Sequence, residues 1–95
     1  MGDWAESYRY REGNYIAPHT DSPRRLKDGT LSTHVLVIYL DDEFEGGATC
    51  FPQLSRTIQP QRGAAAIFEN GLVHHVTAVS RGIRYSLRVD LALIG

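Results

Sequence analysis

The sequence predicts an all-β protein with about eight short strands and few or no helices, arranged as a jelly roll or a closed barrel. Short runs rich in Val, Ile, Tyr, Phe and Thr alternate with turn-forming Gly, Pro, Asp and Asn. No segment keeps the 3.6-residue apolar period of an amphipathic helix. These two observations favour a chain of antiparallel strands over alternating strands and helices.

Each predicted strand is an apolar or aromatic run that ends at a group of turn-forming residues. In chain order the runs cover residues 7–10, 15–19, 33–40, 48–51, 56–58, 64–68, 73–79 and 84–93. The interruptions are EGN at 12–14, DSPRRLKDG at 21–29, DDEFEGG at 41–47, PQ at 52–53, QPQRG at 59–63, ENG at 69–71 and SRG at 80–82. Gly46 and Gly47 suit a tight turn, where a positive φ is needed.

Length and composition limit the possible functions. A chain of 95 residues has room for one domain, spanning 1–95. The formal net charge is −1, so we expect no nucleic-acid binding. The longest apolar run, VLVIYL at 35–40, is too short to cross a membrane, and MGDWAESYRY does not resemble a signal peptide. Cys50 has no partner for an internal disulfide, which favours a reducing, cytoplasmic location.

The segment APHTDSP at 17–23 places a histidine and an aspartate two positions apart at a strand end. Side chains two residues apart on a strand point to the same face, so His19 and Asp21 can converge on one point. An imidazole and a carboxylate suit a divalent first-row metal, and a third ligand would complete a facial triad. Taken alone, the pair is more simply explained as a strand-end histidine and an aspartate that caps the turn at Ser22 and Pro23.

A second group of polar residues lies near the C-terminus. His74 and His75 are adjacent on one predicted strand, so only one of them can point inward. Ten residues after His74 comes Arg84, which shares a face with Ser86. An arginine beside a hydroxyl can bind a carboxylate anion, although the pair could also form the solvated side of an edge strand.

Together these motifs resemble the Fe(II)- and 2-oxoglutarate-dependent dioxygenases, and within them the prolyl 4-hydroxylase-like branch. The resemblance runs in the family's order from residue 10 to residue 87. It is carried by YREGNYIAPHTD (10–21), VLVIYLDDEFEGGATCFPQ (35–53), QPQRGAAAIFEN (59–70) and LVHHVTAVSRGIRYSL (72–87). It implies a double-stranded β-helix (jelly roll) in which the strands form two sheets.

The resemblance also implies the residues of an active site. His19, Asp21 and His74 would bind Fe(II), and the family's spacing to the arginine favours His74 over His75. 2-Oxoglutarate and O2 would occupy the remaining positions on the metal, and ascorbate would keep the iron reduced. The expected reaction hydroxylates a peptidyl proline or a similar C–H substrate and releases succinate and CO2.

Arg84 would pair with the distal carboxylate of 2-oxoglutarate, with hydrogen bonds added by Ser86 and Tyr39. Tyr39 could equally be a core residue, and Tyr10, Tyr15 and Thr49 could either line the pocket or serve packing alone. The loop 22–32 is basic and could attract an acidic or carboxylate-bearing substrate, peptidyl or small-molecule, although a solvated loop is the simpler explanation.

The sequence departs from the family in its N-terminal part. Members of this branch carry helices before the first core strand, whereas 18 residues precede His19 here. If Arg84 and Tyr39 point inward, an apolar face points outward, and we expect a homodimer contact or a partner to cover it. That face would consist of Leu36, Ile38, Leu40, Tyr85, Leu87, Val89, Leu91 and Leu93.

The departure leaves an alternative function open. The chain could be a truncated or degenerate barrel that binds metal or a partner without catalysis. A metalloenzyme of the cupin type that does not use 2-oxoglutarate is a third reading, but it leaves Arg84 and Ser86 unexplained.

Overall fold

The computed structural model describes residues 5–93, and the all-β fold class is confirmed. Among the described residues, the only helical element is a short 3-10 turn at Pro52–Leu54. No helix in this part of the chain is long and apolar enough to span a membrane. The strands are β1 (Ala5–Tyr10), β2 (Ile16–His19), β3 (His34–Tyr39), β4 (Phe44–Gly46), β5 (Thr49–Phe51), β6 (Arg56–Ile58), β7 (Ala65–Glu69), β8 (His74–Val76), β9 (Val79–Gly82) and β10 (Arg84–Leu91).

The described strands form two four-stranded antiparallel sheets and one strand pair. The first sheet has the order β1-β10-β3-β7, and the second sheet has the order β2-β8-β5-β6. The pair consists of β4 and β9. Sequence neighbours are rarely sheet neighbours in this order, which is typical of a jelly roll rather than a simple meander.

A small aromatic cluster joins the inner faces of the two sheets. Val35 and Phe68 come from the first sheet and Phe51 from the second, and all three are buried. The rings of Phe51 and Phe68 meet edge-on with their centroids 5.0 Å apart. Such pairs add a directional term to the burial of apolar area, so this cluster fixes the spacing of the sheets.

Two strands were not expected from the sequence. Segment 41–47 was predicted to be a loop but contains β4, and the predicted strand 73–79 divides into β8 and β9, so SRG at 80–82 is strand rather than turn. Thr77 lies between β8 and β9 and bonds to Ala48. Its N–H donates to the Ala48 carbonyl at 2.9 Å, and its hydroxyl oxygen accepts from the Ala48 N–H at 3.0 Å. β9 then pairs with β4, and a side chain at Gly46 would collide with the Ala78 carbonyl. The other seven strands lie within two residues of their predicted bounds.

The first sheet has the inward and outward faces that strand alternation predicts. Val35, Tyr39, Arg84 and Ser86 are buried on the inner side. The opposite side is apolar and half-buried to exposed, and Ile67 reaches 54% exposure. Its apolar side chains are Leu36, Ile38, Ile67, Tyr85, Leu87, Val89 and Leu91. A homodimer or partner on this outer face stays a prediction.

Candidate active site

Three polar side chains meet at one end of the space between the sheets. His19 ends β2 and is paired in register with His74 of β8, so the two rings lie 4.2 Å apart. Asp21 follows β2, and its backbone N–H donates to the Asn70 carbonyl at 2.9 Å. One ligand atom from each of the three residues lies within 4.8 Å of the others.

Both histidine rings are oriented by the backbone. The Nδ1 atom of His19 lies 2.8 Å from the Ala17 carbonyl, and that of His74 lies 3.0 Å from the Leu72 carbonyl. Because a carbonyl only accepts, each Nδ1 must carry the proton, which leaves the Nε2 lone pair free in the neutral ring. Both Nε2 atoms face Asp21, at 3.6 Å from Oδ1 for His19 and 3.4 Å from Oδ2 for His74.

Burial favours the neutral form of the His74 ring. Burial lowers the pKa of His74 below 6.5, and the Leu72 hydrogen bond and the charge of Asp21 oppose that shift only in part. Its ring packs against Phe68 at a centroid distance of 4.6 Å. Two imidazoles and one carboxylate, directed at a common point, form a donor set that fits a divalent first-row metal such as iron.

Arg84 lies in the same cavity as the histidines and is 2% exposed. Its guanidinium lies 4.6 Å from the Tyr10 ring centroid and 5.3 Å from that of Tyr39. Its Nη2 donates weakly to the Thr49 hydroxyl at 3.4 Å, while its Nε has no hydrogen-bond partner. Within residues 5–93, no carboxylate lies within 4.0 Å of Arg84. A buried cation without a counter-charge is costly, so this end of the cavity suits an anionic ligand.

Hydroxyl groups surround the Arg84 end of the cavity. Tyr39 is 1% exposed, and its hydroxyl lies 2.8 Å from that of Thr49. Ser86 is also buried and lines the cavity two residues after Arg84. Burial raises the pKa of Tyr10, although Arg84 opposes the shift, so the Tyr10 hydroxyl stays protonated. These groups can donate hydrogen bonds to a carboxylate held by Arg84.

The remaining histidines lie away from this cavity. His75 is half-buried and is paired across the strand with Cys50, on the opposite face of β8 from His74. His34 begins β3, and its Nδ1 atom is hydrogen-bonded to the Thr33 hydroxyl at 2.7 Å. Tyr15 is 67% exposed and does not line the cavity, whereas Tyr10 does.

Sequence reasoning missed two charged residues of the site. Arg88 lines the cavity, with Nη1 3.6 Å from Oδ1 of Asp21 and Nη2 3.0 Å from Oδ1 of Asp90. Arg88 and Asp90 continue the inward face that begins with Arg84 and Ser86. Strand parity could therefore have identified both residues, since they follow at intervals of two.

A sequence model of the 2OG-Fe(II) oxygenase superfamily matches residues 5–89, which include all ten strands except the end of β10. The chain belongs to the 2OG-Fe(II) oxygenase superfamily. Membership agrees with the two histidines, the aspartate and the buried arginine found in one cavity.

Relatives place this superfamily member near the prolyl 4-hydroxylases. Prolyl 4-hydroxylase subunit alpha-2 of Gallus gallus is 35% identical over 66 residues, which are 64% of this chain and 12% of that protein. The viral collagen prolyl hydroxylase of Paramecium bursaria Chlorella virus 1, solved with 2OG, has a TM-score of 0.72 and 24% identity, covering 97% of this chain and 63% of that one. An oxidoreductase of the 2OG-Fe(II) oxygenase family from Burkholderia pseudomallei has a TM-score of 0.76 and 22% identity, covering 90% and 40%.

These similarities have two consequences. The structural matches confirm the double-stranded β-helix fold, and the resemblance to prolyl 4-hydroxylases is confirmed as well. The chain spans only part of each relative, and 12% of the chicken subunit.

Proposed function

We propose that this domain is an Fe(II)- and 2-oxoglutarate-dependent dioxygenase that hydroxylates a peptidyl proline or a similar C–H substrate. The observation that carries the proposal is Arg84, a buried guanidinium without a carboxylate partner in the described chain, in one cavity with two histidines and an aspartate. The reaction would consume O2 and 2-oxoglutarate and yield the hydroxylated product, succinate and CO2.

Iron(II), when bound, would supply the oxidative chemistry that no side chain can perform. The chain's own residues would bind the metal and orient the groups that react there. His19 and His74 would offer their Nε2 atoms to the metal, because backbone carbonyls accept hydrogen bonds from both Nδ1 atoms, and Asp21 would supply a carboxylate oxygen. Three protein ligands leave room for a cosubstrate that binds through two atoms and for O2.

Arg84 would pair with the distal carboxylate of 2-oxoglutarate. Tyr39, Thr49 and Ser86 lie where they can orient that carboxylate, and the aromatic rings beside Arg84 exclude water from the ion pair. Exclusion of water strengthens a charge-assisted hydrogen bond, so a small anion can be held by one arginine. Ascorbate as the reductant that restores iron(II) is part of the same proposal.

The substrate proposal rests on the named relatives. The chicken and viral proteins are both described as prolyl hydroxylases, which supports a prolyl residue as the group that is hydroxylated. The basic loop between β2 and β3 supports an acidic substrate less than its sequence suggests. Arg24 is paired with Glu6 and Asp90, and Arg25 donates to the Gly29 carbonyl, so both guanidinium groups already have partners.

A non-catalytic barrel that binds metal or a partner is the second candidate. It is favoured by the apolar outer face of the first sheet, which a partner or a second copy could cover. We also propose a cytoplasmic location, supported by the single Cys50, and no role in nucleic-acid binding, supported by the net charge of −1.

Turnover with matched peptides tests the proposal. The protein is incubated with iron(II), ascorbate, 2-oxoglutarate and a proline-rich peptide, or with the same peptide carrying alanine in place of proline. We expect succinate release and a gain of one oxygen atom with the proline peptide only. Succinate release that no peptide stimulates would contradict the substrate, and the absence of 2-oxoglutarate consumption by a metal-loaded sample would contradict the reaction.

A further inference from the structure

Five side chains of alternating charge run from the cavity to the surface. Arg88 lies 3.6 Å from Asp21 and 3.0 Å from Asp90, measured between Nη and Oδ atoms. Asp90 also contacts Arg24, with Oδ2 3.2 Å from Nη1, and Arg24 is bonded to Glu6. We refer to Asp21, Arg88, Asp90, Arg24 and Glu6 in this order as the charge chain.

The charge chain is buried at its inner end. The side chains of Asp90 and Asp21 are 4% and 8% exposed, and that of Arg88 is 17% exposed. Charges at this depth are tolerated only when they are paired, and removal of one partner leaves the other uncompensated. The outer pair of Arg24 and Glu6 is about one-third exposed, so it is weaker and acts mainly as a tether.

The charge chain connects three parts of the fold. Arg88 and Asp90 belong to β10, and Glu6 belongs to β1, its neighbour in the first sheet. Asp21 and Arg24 both lie in the segment 20–33, which we call the β2–β3 loop. Two points of one loop are therefore bound to the same strand, and one of them is the carboxylate that faces both histidines.

Charge balance makes this arrangement compatible with a metal. Arg88 alone beside Asp21 would repel a divalent cation. Asp90 and Glu6 balance the two arginines of the charge chain, so Asp21 keeps its negative charge for the metal. Arg88 can then hold the Asp21 carboxylate in one orientation. Residues that hydrogen-bond to metal ligands commonly have this role.

We propose that Arg88 is a positioning residue for Asp21, and that Asp90 and Arg24 couple the β2–β3 loop to the metal site. The inference rests on the proposed function in that a metal binds at Asp21. It goes further because it gives the loop a role in metal affinity through Asp90 and Arg24, which do not line the cavity.

Titration with cobalt(II), without 2-oxoglutarate or turnover, tests the role of Arg88. We expect Arg88→Gln to weaken cobalt(II) binding about 10- to 100-fold and to change the visible spectrum of the bound ion. Arg88→Lys should restore part of the affinity. Simple electrostatics predicts the opposite sign, since removal of a cation should tighten metal binding, so unchanged or tighter binding by Arg88→Gln would overturn the proposal.

Arg24 and Arg25 provide a matched pair for the loop. Arg24→Gln cuts the charge chain at a position that is about one-third exposed, while Arg25→Gln removes a hydrogen bond to the Gly29 carbonyl within the loop. We expect weaker cobalt(II) binding for Arg24→Gln, about 3- to 10-fold, which is less than for loss of a direct outer partner, and less than a 2-fold change for Arg25→Gln. In an Arg88→Gln background, Arg24→Gln should have no further effect, whereas additive losses would show that the two residues act separately.

A metal-free measurement separates this proposal from the proposed function. The amide of Asp21 donates to the Asn70 carbonyl and should exchange slowly with solvent. If Arg88 holds Asp21, Arg88→Gln should speed exchange at this amide in the apoprotein, and Arg25→Gln should not. If the wild type binds no cobalt(II), the proposed function fails, and this arm still decides the coupling, because unchanged exchange in Arg88→Gln would overturn it.

Discussion

Arg84 is the side chain on which the proposed binding of a carboxylate mainly rests. In residues 5–93 no carboxylate balances its charge, its Nε atom has no partner, and two aromatic rings flank the guanidinium. An empty site of this kind lowers the free energy of unfolding, and a bound carboxylate should raise it again. Substitution of Arg84 should therefore change stability and ligand binding in opposite directions.

Arg84→Met should leave the free energy of unfolding of the apoprotein unchanged or raised, because it removes an uncompensated buried charge while keeping the volume. The same change should leave metal binding intact and weaken 2-oxoglutarate binding about 10- to 100-fold, the loss expected for one charge-assisted pair of about 1.5–3 kcal/mol. Thermal unfolding with and without 2-oxoglutarate checks both effects. A strongly destabilised apoprotein would mean that Arg84 is structural.

The adjacent histidines make a second prediction. His74→Ala should abolish binding of iron(II), because it removes an Nε2 atom that faces Asp21, while His75→Ala on the other face of β8 should retain it. Anaerobic calorimetry on both variants gives the comparison. Loss of iron(II) binding in His75→Ala alone would reverse our assignment of the third ligand.

Glu6 predicts a small pH dependence of stability. The hydrogen bond from Arg24 lowers the pKa of Glu6 below its ordinary 4.5. A lowered folded-state pKa stabilises the fold above pH 4.5, and this stabilisation is lost as the pH falls through the folded-state pKa. Since the pair is about one-third exposed, the free energy of unfolding of the wild type should exceed that of Glu6→Gln by about 0.2–1 kcal/mol at pH 7, and the difference should vanish in acid. Denaturant unfolding at several pH values measures it, and a constant difference would contradict the pairing.

In strand β7, neighbouring residues lie on opposite faces of the first sheet. Phe68 points into the aromatic cluster, whereas its neighbour Ile67 lies on the outer face at 54% exposure. Phe68→Ala should lower the free energy of unfolding by about 3–5 kcal/mol, because it leaves a cavity between the sheets. Ile67→Ala should change it by about 0.5 kcal/mol or less. Equal losses in urea unfolding would contradict the register of this strand.

Strand alternation was also the part of the fold and site that the sequence predicted best. Parity placed Arg84 and Ser86 on one face, which the structure shows to be the inner one, and separated His74 from His75. It did not reveal β4 and β9, because Phe44 is the only large apolar residue of β4 and the pairing depends on a bend at Thr77. These strands exist through tertiary hydrogen bonds rather than through a local apolar pattern.

For the whole molecule, the same distinction explains which site residues were missed. The grouping of His19, Asp21 and His74 in one cavity was predictable because the spacings from His19 to Asp21 and from His74 to Arg84 resemble those of a known family. Strand parity places Arg88 and Asp90 on the face of Arg84, but the ion pairs of Arg88 with Asp21 and of Asp90 with Arg24 join parts of the chain that meet only in the folded protein. The partner for the apolar outer face is likewise not encoded in any local motif, and it stays a prediction.

We propose that one cavity binds a metal through His19, Asp21 and His74 and a dicarboxylate through Arg84. This proposal is tested by an anaerobic titration of the protein with iron(II) and then 2-oxoglutarate, followed by visible absorption. We expect a weak metal-to-ligand charge-transfer band that requires both additions and is absent in Asp21→Ala. Iron(II) binding without this band, or a band that persists in Asp21→Ala, would contradict it.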